Sequence, residues 1–317
     1  MAPASIGSPV LWLGFVVFVL VMLAVDLGVF HRKSRAVTVK EAAGWSLVWV
    51  SLAVLFGAGV YVWFGADRAL EFAAGYLIEK ALAVDNIFVF VVIFSTFAVP
   101  LSYQHRVLFW GVLGALVMRA AFIFAGGALL ERFHFAIYGF GGILVVTGVK
   151  LLVQRHQEAN PERNPVVRVL RRIIPVTSGF EGDAFVVRRA GRRFATPLLV
   201  ALFAVEVTDV MFAVDSIPAI FAVTMDPFIV FTSNVFAILG LRSLYFVLAG
   251  IIRKLAYLKT GLALVLLFVG AKMSLMDVIK VPIGVSLAVV AAILAIAVLA
   301  SLVKPRARSD RDRCAAT

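Results

Sequence analysis

Five acidic residues interrupt two long apolar stretches of the chain, and their types and spacing could support ion chemistry. They are Glu79, Asp85, Glu206, Asp209 and Asp215. An acid at the centre of a membrane helix costs roughly 2.5 to 3.5 kcal/mol on insertion scales, so five of them facing lipid would be hard to accommodate. The basic residues that could reach them, Lys80, Arg119 and Arg242, are too few to neutralise them. We therefore expect the acids to face one another, water or a bound divalent cation.

The polar residues beside these acids indicate which ion would bind. Asn86, Thr208 and Ser216 add amide and hydroxyl oxygens to the carboxylates, and such hard donors suit Mg²⁺, Ca²⁺ or Mn²⁺. The four histidines lie at the ends of the apolar stretches and the one cysteine, Cys314, lies in the polar tail, which disfavours zinc and copper. Met211 would add a soft sulfur that favours Mn²⁺, although packing is the commoner role of such a methionine.

The elements that carry these residues are predicted to be membrane helices. The sequence is 62% hydrophobic and 15% charged, with a mean hydropathy of +1.03, outside the range of a soluble domain. A helix needs about 20 apolar residues to cross a bilayer. We predict an all-α membrane protein with about nine transmembrane helices, at residues 9–30, 43–65, 70–97, 106–130, 134–153, 197–224, 228–250, 258–276 and 281–303.

Positive charge is distributed unevenly between the predicted loops. Most of the 30 Lys and Arg residues fall in segments 32–40, 155–193, 253–259 and 304–313, whereas the opposite loops hold only Arg68, Arg132 and Lys280. This distribution follows the positive-inside rule and places the N-terminus outside and the C-terminus in the cytoplasm. The net charge of +12 is thus explained by topology, and we expect the lipid bilayer rather than nucleic acid as the partner.

Helices three to five resemble helices six to eight in sequence. Ala83-Val84-Asp85-Asn86-Ile87 in the third helix matches Ala213-Val214-Asp215-Ser216-Ile217 in the sixth. The other matches are Glu79 with Asp209, Arg119 with Arg242, and Gly148-Val149-Lys150 with Gly270-Ala271-Lys272. Because an odd number of spans separates the copies, they would cross in opposite directions, as in the three-plus-three inverted repeats of secondary transporters. A chance likeness of apolar helices is the alternative, but charged residues, which are rare within spans, are among the matches.

The repeat divides the chain into five parts. We expect helices one and two in residues 1–69, repeat one in 70–153, a basic cytoplasmic loop in 154–196, repeat two in 197–276, and a final helix with a cytoplasmic tail in 277–317. Within the loop, residues 165–175 have the spacing of a short amphipathic helix, and residues 185–194 read as a small β-hairpin around Ala190-Gly191. A solvated basic linker is the alternative for this loop.

Helical geometry limits how the acids could meet. At 100° per residue, Glu206 and Asp209 share a face, whereas Asp215 points about 180° from Glu206 on an unbroken helix. Pro218 removes one backbone donor, so we predict a kink or break there that re-aims Asp215. For Asp85, which lies about 120° from Glu79, the alternative is pairing with Arg119 or Arg242, and a structural salt bridge is the favoured role of these arginines.

Two longer motifs carry a family resemblance. Glu79-Lys80-Ala81-Leu82-Ala83-Val84-Asp85-Asn86 and the stretch from Glu206 through Asp215-Ser216-Ile217-Pro218-Ala219 closely resemble the hallmark motifs of the TerC family of integral membrane proteins. Ala195-Thr196-Pro197-Leu198, Thr232-Ser233-Asn234 and the Gly-x-Lys of spans five and eight are similar too, so the resemblance covers about residues 10–303.

This resemblance implies a manganese exporter of the bacterial cytoplasmic membrane, without a prosthetic group and linked to metallation of exported proteins. Carried over to this chain, the ion ligands would be Glu79, Asp85, Asn86, Glu206, Asp209 and Asp215. The chemistry and positions of the residues themselves add supporting candidates: Ser216, Met211, Arg119, Arg242 and Pro218. The tellurium resistance for which the family is named finds no support in these residues, since carboxylates repel an oxyanion.

Other function classes stay open at this point. Paired intramembrane aspartates can act in proteolysis, but the Gly-x-Gly-Asp context of such proteases is absent from the sequence, so we do not expect an enzyme. A scaffold that assists secretion or metallation of exported proteins would use the acids for partners rather than for ion flux. Within transport, an amino-acid or proton-only exporter also fits, because acids serve as proton relays.

Overall fold

The computed structural model describes residues 5–30, 38–133, 135–153, 175–177, 179–189, 192–249, 257–275, 278 and 281–303. In this part of the chain the helices are α1 (Pro9–Phe30), α2 (Val39–Phe64), α3 (Ala66–Thr96), α4 (Leu101–Arg132), α5 (Ala136–Val153), α6 (Pro197–Phe221), α7 (Pro227–Leu239), α8 (Leu241–Leu248), α9 (Leu258–Ser274) and α10 (Ile283–Val303). Two short strands, β1 (Val186–Arg189) and β2 (Arg192–Ala195), lie between α5 and α6.

Each of the nine predicted spans contains helix, and the span predicted at 228–250 contains two. Five helices, α2, α4, α5, α6 and α10, are long and apolar enough to cross a membrane, and the bent pair α7 and α8 adds a sixth if it is one span. The apolar stretches of α1 and α9 are shorter. The all-α membrane architecture is therefore confirmed, while the nine-span count stays a prediction.

Sequence signals explain where several helices begin. Thr38 caps α2 by accepting a hydrogen bond from the Glu41 amide, and the Glu41 carboxylate accepts one from the Thr38 amide in return. Asp226 caps α7 by accepting from the Phe228 amide at 2.9 Å, with Pro227 at the first helical position. The starts of α2 and α7 are thus encoded by capping residues in the sequence.

The helices that carry the acids form the centre of the bundle. Helix α3 packs against both α6 and α7, α4 packs against α6, and α5 packs along α9. One apolar cluster joins the last turns of α3 to the first turns of α4 and α6, and a second surrounds the far half of α6 with α5 and α9. The acids of α3 and α6 therefore lie between two packed apolar regions.

Helices α5 and α9 approach each other closely at glycines. A Cβ atom on Gly148 would lie 3.0 Å from the Ala263 carbonyl oxygen, and one on Gly270 would lie 2.9 Å from the Gly141 carbonyl oxygen. Both distances are too short for a side chain to fit without moving backbone. These glycines set the spacing between the two helices.

Polar contacts mark the two ends of the bundle. At the beginning of α3, Arg68 forms ion pairs with Glu71 at 2.9 Å and Asp226 at 3.9 Å, and Ser5 donates a hydrogen bond to Asp226 at 2.7 Å. Beyond the end of α3, the Tyr245 hydroxyl donates to Gln104 at 2.8 Å. The N-terminal segment and the α6–α7 connection therefore share one end, as the predicted topology requires.

The loop between the repeats contains the predicted hairpin. Strands β1 and β2 pair in antiparallel register from Val186 with Ala195 to Arg189 with Arg192, which confirms a hairpin at 185–194. Arg106, near the start of α4, forms an ion pair with Asp183, which lies just before β1. The amphipathic helix predicted at 165–175 lies almost wholly outside the described residues.

The prediction of a broken sixth helix is wrong. Helix α6 continues through Pro218 to Phe221, because the proline stands in the last turn and removes only the bond to the Val214 carbonyl. The break occurs instead in the seventh span, where α7 and α8 meet at Gly240 with a bend of 41°. The discontinuous helix is thus next to Arg242, not next to Asp215.

Candidate functional site

A buried arginine joins the two repeat-related acids Glu79 and Asp209. The Arg119 guanidinium on α4 donates to Glu79 Oε1 on α3. It donates to the two carboxylate oxygens of Asp209 on α6, at 3.3 Å each. It also donates to Ser216 Oγ at 3.2 Å. One cation therefore gathers oxygen atoms from both repeats at the centre of the bundle.

This cluster is almost completely removed from solvent. Glu79 is 0% exposed, Asp209 3% and Arg119 2%. Two carboxylates share a single guanidinium, so the three side chains are not balanced in charge when both acids are ionised. Removing one partner of such a buried pair typically destabilises a protein by about 3 to 5 kcal/mol, because a charge is left uncompensated.

Several buried polar atoms of α3 and α7 have no hydrogen-bond partner among the described residues. They are Glu79 Oε2, Asn86 Oδ1 and both side-chain amide atoms of Asn234. Buried polar atoms are normally satisfied, so unpaired ones point to water or an ion that would bind there. A void of about 10 Å³ beside Asp209, lined by α3, α4, α6 and α8, has room for about one water molecule.

Glu206 and Asp215 form no hydrogen bond with this cluster in the described part of the structure, although Glu206 lies close enough to Asp209 for their charges to interact. Glu206 is half-buried and its carboxylate lies against Gly114 of α4. Asp215 faces α5, where Thr147 Oγ1 donates to it at 2.9 Å. This is what an unbroken helix requires, since Asp215 points about 120° from Asp209. The side chain of Asp85, although α3 includes its backbone, lies outside the described part of the structure.

Met211 is placed away from the acids. It is 59% exposed on the outer surface of α6, at about 200° from Asp209 around the helix. A thioether there would face lipid. The structure thus gives Met211 no ligand role in this arrangement.

The described side chains do not form a complete metal site. Within the described residues no group of three acidic, histidine or cysteine side chains could hold a metal ion. The arrangement is instead an acid pair closed by Arg119, with a serine hydroxyl and unpaired amide and carboxylate oxygens.

Two residues at the helix break were missed as functional candidates. The Lys80 ammonium on α3 donates to the Ala237 carbonyl at 3.2 Å, in the last turn of α7. A Cβ on Gly240 would lie 2.8 Å from Lys80 Nζ and 3.1 Å from the Cβ of Trp49. A glycine two residues before an intramembrane arginine could have indicated the break, but glycine is common in membrane helices.

Comparisons with known proteins agree with the membrane architecture. The family described as the integral membrane protein TerC family matches residues 64–309. The chain is 61% identical to the uncharacterized membrane protein STKORF319 of Myxococcus xanthus, over 97% of each chain. It is 48% identical to proteins provisionally named membrane-bound redox modulator Alx, in Salmonella typhi over 92% of this chain and 94% of the relative, and in Escherichia coli K12 over 92% and 93%. No solved structure matches the chain.

Proposed function

This chain belongs to the TerC family of integral membrane proteins, and from that premise we propose that it is a secondary-type transporter that exports a hard divalent cation from the cytoplasm. Among the hard divalent cations, we propose Mn²⁺ as the transported ion. The observation that carries the proposal is the pair of buried acids, Glu79 and Asp209, which come from matching positions of two sequence repeats and converge on one cation. Intramembrane acids in the interior of a bundle mark ion pathways.

The donor chemistry supports a hard ion. Glu79, Asp209, Ser216 and Asn86 offer only oxygen and amide donors at the bundle centre, the ligands that suit Mn²⁺, Mg²⁺ and Ca²⁺. A divalent ion would match the charge of the two carboxylates. Manganese rather than calcium is taken from the family resemblance, so the selectivity is a proposal in its own right. The proposal includes no prosthetic group and no enzymatic reaction.

The inverted three-plus-three repeat is part of the proposal. The sequence match pairs Gly148 with Gly270, and the same offset pairs Gly141 with Ala263. If each residue is replaced by its match, the contact of Gly148 with Ala263 becomes the contact of Gly270 with Gly141. The two distances, 3.0 and 2.9 Å, are nearly equal. This equality supports a pseudo-twofold axis between α5 and α9, the arrangement in which transporters place their substrate at the repeat interface.

We propose the bacterial cytoplasmic membrane as the location, with the N-terminus outside and the C-terminus in the cytoplasm. The relatives' name suggests a redox role, which this chain would not perform through an intrachain disulfide, because it has one cysteine, Cys314. A redox effect could follow from the metal ions that the cell retains. Secretion machinery or exported proteins as partners belong to the scaffold alternative.

Manganese flux into inside-out proteoliposomes tests the function. We expect the wild type to accumulate Mn²⁺ and Asp209→Asn to lose at least about tenfold of the flux, because a charge-assisted contact worth about 1.5 to 3 kcal/mol is removed. Ca²⁺ and Mg²⁺ as competitors rank the ions. Asp183→Asn is the matched control, since this acid pairs with Arg106 at the bundle end and is largely exposed. A folded wild type without flux of any of the three ions would favour the scaffold.

A further inference from the structure

Arg119 occupies the oxygen atoms that a cargo ion would need. Its guanidinium binds one oxygen of Glu79, both oxygens of Asp209 and the Ser216 hydroxyl. These are two carboxylates and a hydroxyl drawn from both repeats, a donor set that also suits a hard cation. The same oxygens cannot serve both cations at full strength, so an ion that enters this centre competes with Arg119.

We propose that Arg119 is a tethered counter-cation, which closes the acid pair in the empty transporter and is displaced when a divalent ion binds. This proposal rests on the transport function proposed above. It assigns ion selectivity to Arg119, whose ion pairs would otherwise be interpreted as purely structural.

The packing around Arg119 requires that its displacement move a helix. The void beside Asp209 has room for about one water molecule, so this void is too small to take the guanidinium while the helices stay in place. Arg119 lies within the continuous helix α4, which packs against α6 along its length. We therefore expect the release of Arg119 to shift α4 against α6. Ion binding and helix movement become one event.

Charge explains which ions can displace the arginine. A monovalent ion brings the same single charge as the guanidinium but lacks its tether and its several donors, so it gains little by exchange. A divalent ion matches the two carboxylates of Glu79 and Asp209 and draws twice the Coulomb energy at the same distance. Arg119 thus selects divalent over monovalent cations at the binding step.

A permanent structural ion pair predicts the opposite result for the same substitution. If Arg119 only holds α3, α4 and α6 together, its removal leaves two buried acids without a partner and disorders the site, so the metal should bind more weakly. If Arg119 competes with the cargo, its removal should strengthen metal binding. The sign of the change in affinity separates the two roles.

The experiment is Mn²⁺ binding to the full chain in lipid nanodiscs, with free Mn²⁺ measured by electron paramagnetic resonance. We expect Arg119→Ala to lower the Mn²⁺ dissociation constant at least about tenfold, and millimolar guanidinium chloride to compete with Mn²⁺ in that variant but not in the wild type. Arg119→Lys keeps the positive charge but makes fewer contacts, so its affinity for Mn²⁺ should lie between those of the wild type and Arg119→Ala. Arg106→Ala, on the same helix but paired with the exposed Asp183, should bind as the wild type does.

Arg119→Lys also provides the answer if Arg119→Ala does not fold. A folded Arg119→Lys or Arg119→Ala that binds Mn²⁺ no more tightly than the wild type would overturn the counter-cation role and leave the transport function standing. Absence of Mn²⁺, Ca²⁺ and Mg²⁺ binding in the wild type and all variants would instead remove the transport function, and the counter-cation role with it.

Discussion

Helix α4 and the pair α7–α8 occupy matching positions in the two sequence repeats but differ in structure. Helix α4 is continuous over 32 residues, and its Arg119 reaches the acids of α3 and α6. The matching span breaks at Gly240 with a bend of 41°, and Arg242 follows the break with its guanidinium 6.0 Å from the centre of the Phe109 ring. Equivalent arginines thus lie in different surroundings.

On the proposed transport function, this difference indicates which matching helices would change conformation. In transporters with inverted repeats, one half adopts at a given moment the conformation that its partner adopts in the opposite state, and the substrate site opens to alternate sides. On the proposed transport function, one continuous and one broken matching helix would correspond to a single state of such a cycle. Lys80 stabilises the broken half, since its ammonium binds the Ala237 carbonyl at the end of α7.

The largest effect should come from replacing the glycine at the break. In Gly240→Ala the new methyl group would meet Lys80 Nζ at 2.8 Å and Trp49 Cβ at 3.1 Å, and alanine favours continuous helix by about 1 kcal/mol. Both effects oppose the break, so we expect Mn²⁺ flux in proteoliposomes to fall at least about tenfold.

Gly142→Ala is the control for that comparison, because Gly142 on α5 has open space around the position of a Cβ atom. It should transport like the wild type and be equally or slightly more stable. Full transport by Gly240→Ala would mean that the break has no part in the cycle, and the contrast between α4 and α7–α8 would then be a matter of packing alone.

The break also shows what the sequence could and could not predict. Apolar runs predicted helix in every span, and the β-prone residues around Ala190-Gly191 predicted the hairpin, because both depend on local pattern. Pro218 was expected to break its helix. It lies only three residues before the helix ends at Phe221, so few helical hydrogen bonds follow it. At the break, Gly240 leaves room for Lys80 and Trp49 of other helices, which a side chain there would meet; that contact is not visible in a local pattern.

The sequence predicted the residue types of the site more fully than their contacts. The sequence repeat matched Glu79 with Asp209 and Arg119 with Arg242, and helical phase indicated that Glu206, Asp209 and Asp215 could not all face inward on a straight helix. It could not predict that Arg119 would join both matched acids, or that Asp215 would bind Thr147 on α5. Those contacts depend on which helices pack together, which one sequence does not specify.

A smaller effect should test whether the two repeats share a symmetric contact. Gly148→Ala and Gly270→Ala would each place a methyl group about 3 Å from a backbone carbonyl across the α5–α9 interface, and overpacking typically costs about 1 to 3 kcal/mol. We expect the two substitutions to lower the thermal midpoint in detergent by similar amounts. A large loss for one and none for the other would break the proposed pseudo-twofold relation, while Gly142→Ala again serves as the control.

The smallest effect should come from the contact that ties α8 to the beginning of α4. Tyr245→Phe removes the 2.8 Å hydrogen bond to Gln104, whose amide nitrogen donates to the Val99 carbonyl at 3.0 Å. The loss of one buried hydrogen bond should cost about 1 kcal/mol, seen as a small fall in the thermal midpoint, because α8 remains packed in the apolar cluster around it. If flux changes far more than stability, the segment after the break moves against α4 during transport, and the difference between the two matched helices is functional. Unchanged flux would place α8 with the rigid part of the bundle, and the movement would then have to occur at α7 or α4.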